Sequence, residues 1–502
     1  MALKEEDMNA AILVLDYGTT ALKAVAYDES FHRLRTASRE WHYIYPAPNC
    51  IEYPVEEYWR QTLSAIAELR DGLGGFQGLH AISVTGQSET MILLDASGAP
   101  LGNAIVWLDG RPAEECATAR AQFSEARLYA ITGNPDFSVN MPLLKIQWLQ
   151  KHEPERFARM DRLLLLKDYI IYKLSGTILS EHTVNCCSGY FDINRRDWSD
   201  ELLDLCGLTR SRLPELAGAM AVVGGVCPGT AAAMGLPGGV KVVNGLLDQC
   251  ASALGAGNLS GGMICETTGT VLAIAATLDA FHPERMARPV LMFCHALEGK
   301  YLALPNCPTA GVLLSWFRDR FLADGEGGFD RINEEVQRRL DKESELILLP
   351  HFSGRLSPVA NESARGVLYG LTLDCDRFDI ARSIMESVAY LLRENLELLA
   401  TIGVQSEDVV SLGGASKSAV WQQIKADVCG KNIIPLTDGE STALGCALNA
   451  GMALGMLDAR EIPGLICQRA IYRPNPARRA VYDRKYEAYL DLNRRLGYDE
   501  TH

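Results

Sequence analysis

The sequence predicts an α/β protein of two lobes, each built on a mixed sheet flanked by helices. Two observations lead there. A strand, a Thr/Gly turn and a second strand occur at residues 11–28 and again at 263–274, so one architectural unit opens each half. Between them, apolar strand-like runs alternate with amphipathic segments, the pattern of sheets covered by helices. A length of 502 residues accommodates two lobes with a core apiece.

The opening unit runs from Ala11 through Leu15, ends its apolar stretch at Asp16, turns through Tyr17-Gly18-Thr19-Thr20, and returns through Ala21-Leu22-Lys23-Ala24-Val25. Its turn exposes backbone N–H groups and threonine hydroxyls, the donors a polyphosphate requires. Asp16, at the strand end, is placed to hold a hydrated Mg²⁺ beside phosphate oxygens. The same pattern also describes an ordinary β-hairpin. It gains meaning only from what accompanies it.

Further along, Leu79 to Thr85 reads as a strand ending at Gly86-Gln87-Ser88-Glu89-Thr90, and Met91 to Asp95 as another before the turn Ser97-Gly98. Pro142 to Gln150 and Leu163 to Leu174 read as helices, the second stopped at Ser175-Gly176. A Gly/Ala-rich stretch over 217–240 precedes a strand, Val240 to Asn244, that runs into Gly245-Leu246-Leu247-Asp248-Gln249. Glycines from Gly255 to Gly262 mark the passage between the lobes. In the second half, Ser411-Leu412-Gly413-Gly414-Ala415 is a strand entering a helix, where glycines admit a flat ring close to the backbone. The segment 476–496 is a periodic helix with Tyr482, Tyr486, Tyr489 and Leu492 on one face, a packing face in its simplest reading.

Composition narrows the function classes. The chain is 48% hydrophobic and 22% charged, as soluble globular proteins are. A net charge of −15 argues against nucleic acid or an anionic membrane as the main partner, though not against ATP. The 14 cysteines form no Cys-x-x-Cys pair, which favours reduced core thiols in a cytoplasmic protein over disulfides or zinc. No apolar leader or membrane-length run is expected. A P-loop and the protein-kinase motif set are both missing.

Over nearly its whole length the chain resembles the FGGY family of carbohydrate kinases. The resemblance rests on Gly366-Val367-Leu368-Tyr369-Gly370-Leu371 with Asp379 to Glu386, on Pro142 to His152, and on Gly413-Gly414-Ala415 with Ser418, Trp421, Gln422, Ala426 and Asp427. It implies a ribonuclease H-like, actin-type fold of two lobes (residues 1–257 binding sugar, 258–475 binding ATP, then a helix over 476–502) that close over the substrate, with ATP in the interdomain cleft. It also implies roles. Asp16 would orient Mg²⁺, while Gly18, Thr19, Thr20 and Lys23 would bind phosphates from the first lobe and Gly269 and Thr270 from the second. Gly413, Gly414 and Ala415 would line the adenine pocket, and Asp248 would be the general base. A homodimer is the assembly such relatives suggest.

Sugar contacts are expected from Gln87, Glu89, Trp107, Asp109, Arg111 and Gln249, whose amides, carboxylates and planar faces suit polyhydroxylated ligands. Arg111 could equally be a structural ion-pair partner, and Trp107 a core aromatic. Ser88 stands where glycerol kinases have arginine, and Ser88-Glu89-Thr90 where xylulose kinases have Met-His-Gly. The Trp-x-Asp-Gly-Arg segment leans toward xylulose and erythritol kinases. The expected activity is ATP-dependent phosphorylation of a pentulose such as xylulose or ribulose, ahead of a polyol such as erythritol, a pentitol or glycerol. An actin- or chaperone-like ATP-driven switch and a non-catalytic sugar sensor are the competing classes.

Overall fold

The computed structural model describes residues 9–286, 288–322, 327–342, 344–436, 440–466 and 470–500. The expectation of no apolar leader falls on residues 1–8, outside the described residues. No described helix is long and apolar enough to cross a membrane, and every described cysteine is a free thiol.

The first sheet contains β1 (Ile12–Tyr17), β2 (Ala21–Tyr27), β3 (Arg33–Glu40), β4 (Ala81–Gly86), β5 (Val222–Gly225) and β6 (Lys241–Leu247), in the order β5-β6-β4-β1-β2-β3. β1 pairs antiparallel with β2 and parallel with β4, and β4 pairs parallel with β6. The second sheet contains β7 (Ile264–Thr268), β8 (Leu272–Leu278), β9 (Met292–Cys294), β10 (Tyr301–Ala303), β11 (Asn306–Cys307), β12 (Asp408–Leu412) and β13 (Asn432–Pro435). Its order is β9-β10-β8-β7-β12-β13, with β11 on β8. Here β7 pairs antiparallel with β8 and parallel with β12, which pairs parallel with β13. Each half thus starts with a hairpin whose first strand then accepts later strands in parallel. The two-lobed mixed α/β fold expected from the sequence is the fold observed.

Seven helices position the site: α1 (Pro142–His152), α2 (Leu166–Ser175), α3 (Asp248–Gly255), α4 (Arg377–Thr401), α5 (Ala419–Cys429), α6 (Ser441–Ala453) and α7 (Pro476–Arg495). The helix expected from Leu163 begins three residues later. Arg162–Leu165 is a strand, antiparallel to Met91–Leu94, because an unbroken leucine run suits a buried strand as well as a helix. The tyrosine face of α7 is buried, as a packing face should be: Tyr486 donates to Glu397 (2.8 Å) and Tyr489 to Glu394 (3.1 Å), both on α4. Arg382 and Glu386 are bonded to each other (2.7 Å), and Glu386 also pairs with Lys485 of α7. Those two signature residues therefore brace helices.

The lobes meet where α3 crosses α6. Although α6 comes from the second half of the chain, it lies on the first sheet: the Cys446 thiol donates to Ser83 Oγ (3.2 Å) and Asn449 Nδ2 to the Ala219 carbonyl (2.9 Å). The crossing is backbone on backbone. A Cβ on Gly255 would stand 1.9 Å from the Ser441 oxygen, and one on Gly445 would stand 1.8 Å from the Ala251 oxygen. Gly445→Ala must therefore separate the helices, an overpacking that costs about 1–3 kcal/mol. Thermal unfolding should show an apparent Tm lowered by several degrees; an unchanged Tm would mean that the helices part freely.

Candidate active site

Parallel pairing brings the first lobe's polar residues to one sheet edge. Tyr17 of β1 is in register with Gly86 of β4, and Gly86 with Leu247 of β6. Asp16, the Gln87-Ser88-Glu89 loop and Asp248 consequently emerge side by side, at the carboxyl ends where α/β sheets bind ligands. The register between β4 and β6 shifts between Val243 and Leu246. At that bulge Gly245 has φ 76°, and a Cβ there would lie 1.9 Å from the Val84 oxygen. Only glycine fits, and the bulge makes Asp248 the first residue of α3.

The edge is crowded with negative charge. Burial pushes the Asp248 carboxyl up to about 7, and the charges of Asp16 and Glu89 add to the shift. Burial lifts Asp16 to about 6, with Lys23 opposing and Glu440 adding. Glu89 is also raised by burial, against the Ser88 hydroxyl bonded to it and the nearby Lys145. Lys23, an expected phosphate ligand, pairs with Glu440, just ahead of α6, at 3.0 Å and keeps its side chain partly exposed.

Both expected phosphate turns are braced from behind. The Thr19 carbonyl accepts hydrogen bonds from Trp41 Nε1 (2.9 Å) and the Tyr43 hydroxyl, and the Trp41 amide donates to the Thr20 carbonyl (3.0 Å). Thr20 itself is exposed. In the second lobe the Ala310 amide donates to the Thr270 carbonyl (3.0 Å), and the Gly269 amide to Val271 (3.0 Å). Beneath that turn Lys425, fully buried, donates to Glu266 (2.6 Å) and to the Thr268 hydroxyl (2.8 Å). β7 and β12 are parallel, with Thr267 opposite Leu412, so Gly269 and Thr270 end beside Gly413 and Gly414. Gly414 is exposed, while the Ala415 carbonyl is held by Gln422 Nε2 (2.8 Å).

The residues expected at the sugar divide into two groups. Glu89 and Gln249 are at least partly accessible, and Trp107 is half-buried with an indole N–H that finds no acceptor among the described residues. Gln87 is turned inward, its Nε2 on the Gly18 carbonyl (3.4 Å) and its Oε1 accepting from Thr90 (2.8 Å). Asp109 and Arg111 close on each other through bonds of 2.8 and 2.9 Å. Arg111 also reaches Glu52 (2.7 Å) and lies over the Trp148 ring, while Asp109 accepts from the Ile51 amide (2.5 Å). A pair this desolvated must be saturated by protein. Expected as sugar contacts, these two are instead the clamp that holds the Trp107 loop.

Lys145 on α1, Glu440 and the Trp41/Tyr43 brace have no counterpart among the site residues read from sequence. Lys145 is fully buried and donates to the Val106 (3.0 Å) and Trp107 (3.2 Å) carbonyls. Burial lowers its pKa to about 8, against the pull of Glu89 and Asp109. A lone lysine inside Pro142-Leu143-Leu144-Lys145-Ile146 was the available signal. Among the described residues no cluster of three or more metal-ligating side chains occurs. A divalent cation at Asp16 would complete its shell with phosphate oxygens and water, the usual magnesium arrangement, and would relieve the crowded carboxylates.

Because the Asp248 carboxyl titrates near 7 when folded and near 4 when unfolded, the folded state binds its proton more tightly. The charged group therefore costs stability above the folded pKa, and the cost fades as pH falls toward the unfolded value. Asp248→Asn should raise Tm at pH 8, with the gain shrinking steadily toward pH 4 in parallel melts. Equal melts across that range would show the carboxylates to be uncoupled from stability.

Residues 11–255 match the model of the N-terminal domain of the FGGY family of carbohydrate kinases, and residues 263–454 that of its C-terminal domain. The chain is 29% identical over 491 residues to the xylulose kinase of Escherichia coli, covering 96% of this chain and 98% of the relative. It is 30% identical over 468 residues to the glycerol kinase of Burkholderia vietnamiensis, covering 88% and 89%. The crystal structure of xylulose kinase from Rhodospirillum rubrum superposes with a TM-score of 0.89 at 27% identity, covering 97% of this chain and 98% of that one.

Proposed function

Since this chain belongs to the FGGY family of carbohydrate kinases, we propose that it transfers the γ-phosphate of ATP to a terminal hydroxyl of a pentulose, with Asp248 as the general base. The observation that carries this is the convergence of Asp16, Glu89 and Asp248 at one sheet edge, with Asp248 raised to about 7. A base poised near neutrality suits a proton taken from an alcohol as phosphate leaves ATP.

Each residue then has a task. Asp16 holds Mg²⁺, which supplies charge neutralisation to the transferring phosphoryl group. The Gly18-Thr19-Thr20 turn with Lys23 and the Gly269-Thr270 turn grip phosphates from opposite lobes, and Gly413, Gly414 and Ala415 receive the adenine. Glu89 and Trp107 orient the sugar, whose reacting hydroxyl lies against Asp248. Closing the lobes keeps water, the competing acceptor, away.

The xylulose kinase relatives support a pentulose as substrate. One observation favours a polyol instead: Glu89, capped by Ser88, offers acceptors suited to hydroxyl donors, and a glycerol kinase is 30% identical. ADP release with Mg²⁺-ATP across ketopentoses, aldoses, polyols and sugar acids decides between them. Turnover on ketopentoses that falls about 10²- to 10⁴-fold in Asp248→Asn is expected. Turnover confined to polyols selects the second reading. ADP release indifferent to sugar would replace both with an ATP-driven switch, and sugar binding without turnover with a sensor.

The base must be ionised to work, so activity follows the deprotonated form. In the free enzyme kcat/KM should fall about tenfold per pH unit below pH 7, reporting the coupled Asp16–Asp248 pair rather than one carboxyl. A profile flat from pH 5 to 8 would remove Asp248 as the base.

A further inference from the structure

Behind the strand end that presents Asp248 lies a buried polar cluster that touches neither expected phosphate turn. Lys167 and Asp168 of α2, Ser180 and Glu181, Thr183, Asn185 and Asn244 are each at most 2% exposed. So much polarity in a core is costly unless each member is bonded and the arrangement serves something.

What it holds is the bulge in β6. Lys167 Nζ donates to the Asn244 carbonyl (2.9 Å), and Asn244 Nδ2 to the Ser180 carbonyl (3.1 Å). Three residues on from Asn244, the Leu247 amide donates to Thr183 Oγ1 (2.8 Å). That hydroxyl spends its own hydrogen on Glu181 Oε1 (2.8 Å), so its lone pair is left facing Leu247. Glu181 is immobilised in turn, accepting from the Thr183 (2.5 Å) and Val184 (2.7 Å) amides. Ser180 donates to Asp168 (2.7 Å), and Asn185 Nδ2 to Ser180 Oγ (2.7 Å).

The geometry points to Thr183 as a positioning residue for Asp248: through the Leu247 amide, one residue before the carboxylate, the Glu181-oriented hydroxyl fixes where the base stands. Gly245 is why the support is needed. The bulge interrupts the ladder of β6 with β4 between Val243 and Leu246, leaving only Leu246 and Leu247 paired beyond it, and a glycine adds no side chain to steady the strand end. Thr183 adds a second restraint to that short resumed pairing, at the last residue before Asp248. The inference rests on Asp248 being the base.

Steady-state kinetics of purified Thr183→Val, Thr183→Ser and Asp248→Asn, each checked by thermal melting, test it. Valine keeps the shape and deletes the hydroxyl; serine keeps the hydroxyl. In Thr183→Val, kcat should fall about 10- to 100-fold, the scale of a displaced reacting group, with KM for sugar and ATP little changed. Thr183→Ser should return kcat to within a few-fold of wild type. If the valine variant does not fold, Thr183→Ala, which is smaller than threonine, carries the same comparison. Loss of activity in Asp248→Asn beside wild-type kcat in Thr183→Val overturns this inference alone. KM values that rise with kcat untouched, or a serine variant no better than valine, overturn it as well. Full activity in Asp248→Asn overturns the base assignment, and this inference with it.

Discussion

Like charges gathered at the ends of adjacent parallel strands repel, and much of this protein is arranged around that repulsion. β1, β4 and β6 run the same way in register, so Asp16, Glu89 and Asp248 have no choice but to emerge together. Burial lifts all three carboxyls above the usual range, and the charges of Asp16 and Glu89 raise Asp248 further. A folded protein that tolerates such a cluster gives up stability where it needs chemistry. The same crowding makes the edge receptive to a cation and to a proton, the two things a phosphoryl-transfer site must accommodate.

The compensation is distributed in a ring of saturated polar contacts around that edge. Arg111 satisfies Asp109 and Glu52, Lys145 satisfies two carbonyls of the Trp107 loop, and Lys425 satisfies Glu266 beneath the second turn. Each is a buried cation bonded to at least two protein acceptors, and each lies one layer behind a residue expected to meet a ligand. Precision in a site comes from such outer contacts more than from the ligand-facing groups themselves.

The strands, turns and lobe order were legible in the sequence because their signals are local. The turn after Asp16 announces itself by residue type, and its echo at Thr268-Gly269-Thr270 shows that the unit recurs. The tyrosine spacing of α7 likewise declares a packing face. Longer-range facts were hidden. Asp109 and Arg111 have the chemistry of sugar ligands, and only their closure on Glu52, 59 positions away from Arg111, shows them spent on structure. Lys23 has the chemistry of a phosphate ligand, and the structure gives it a further partner, Glu440, 417 positions away. The leucines at 163–165 fit helix and strand alike until Met91–Leu94 pairs with them. Local chemistry says what a residue is able to do, and tertiary pairing decides which of those things it does.

The bare crossing of Gly255 and Gly445 has a mechanical consequence. Where two helices touch backbone to backbone, with the Ser252–Ser441 hydroxyl bond (3.1 Å) beside the contact, a small rotation repacks little. α3 begins with Asp248 and α6 begins one residue after Glu440, but the two run in opposite directions through the contact: Gly255, the end of α3, meets Ser441, the start of α6, and Ala251 meets Gly445. A few degrees of turn there swing Asp248, at the opposite end of α3 from Gly255, while Glu440, next to Ser441, stays close to the pivot.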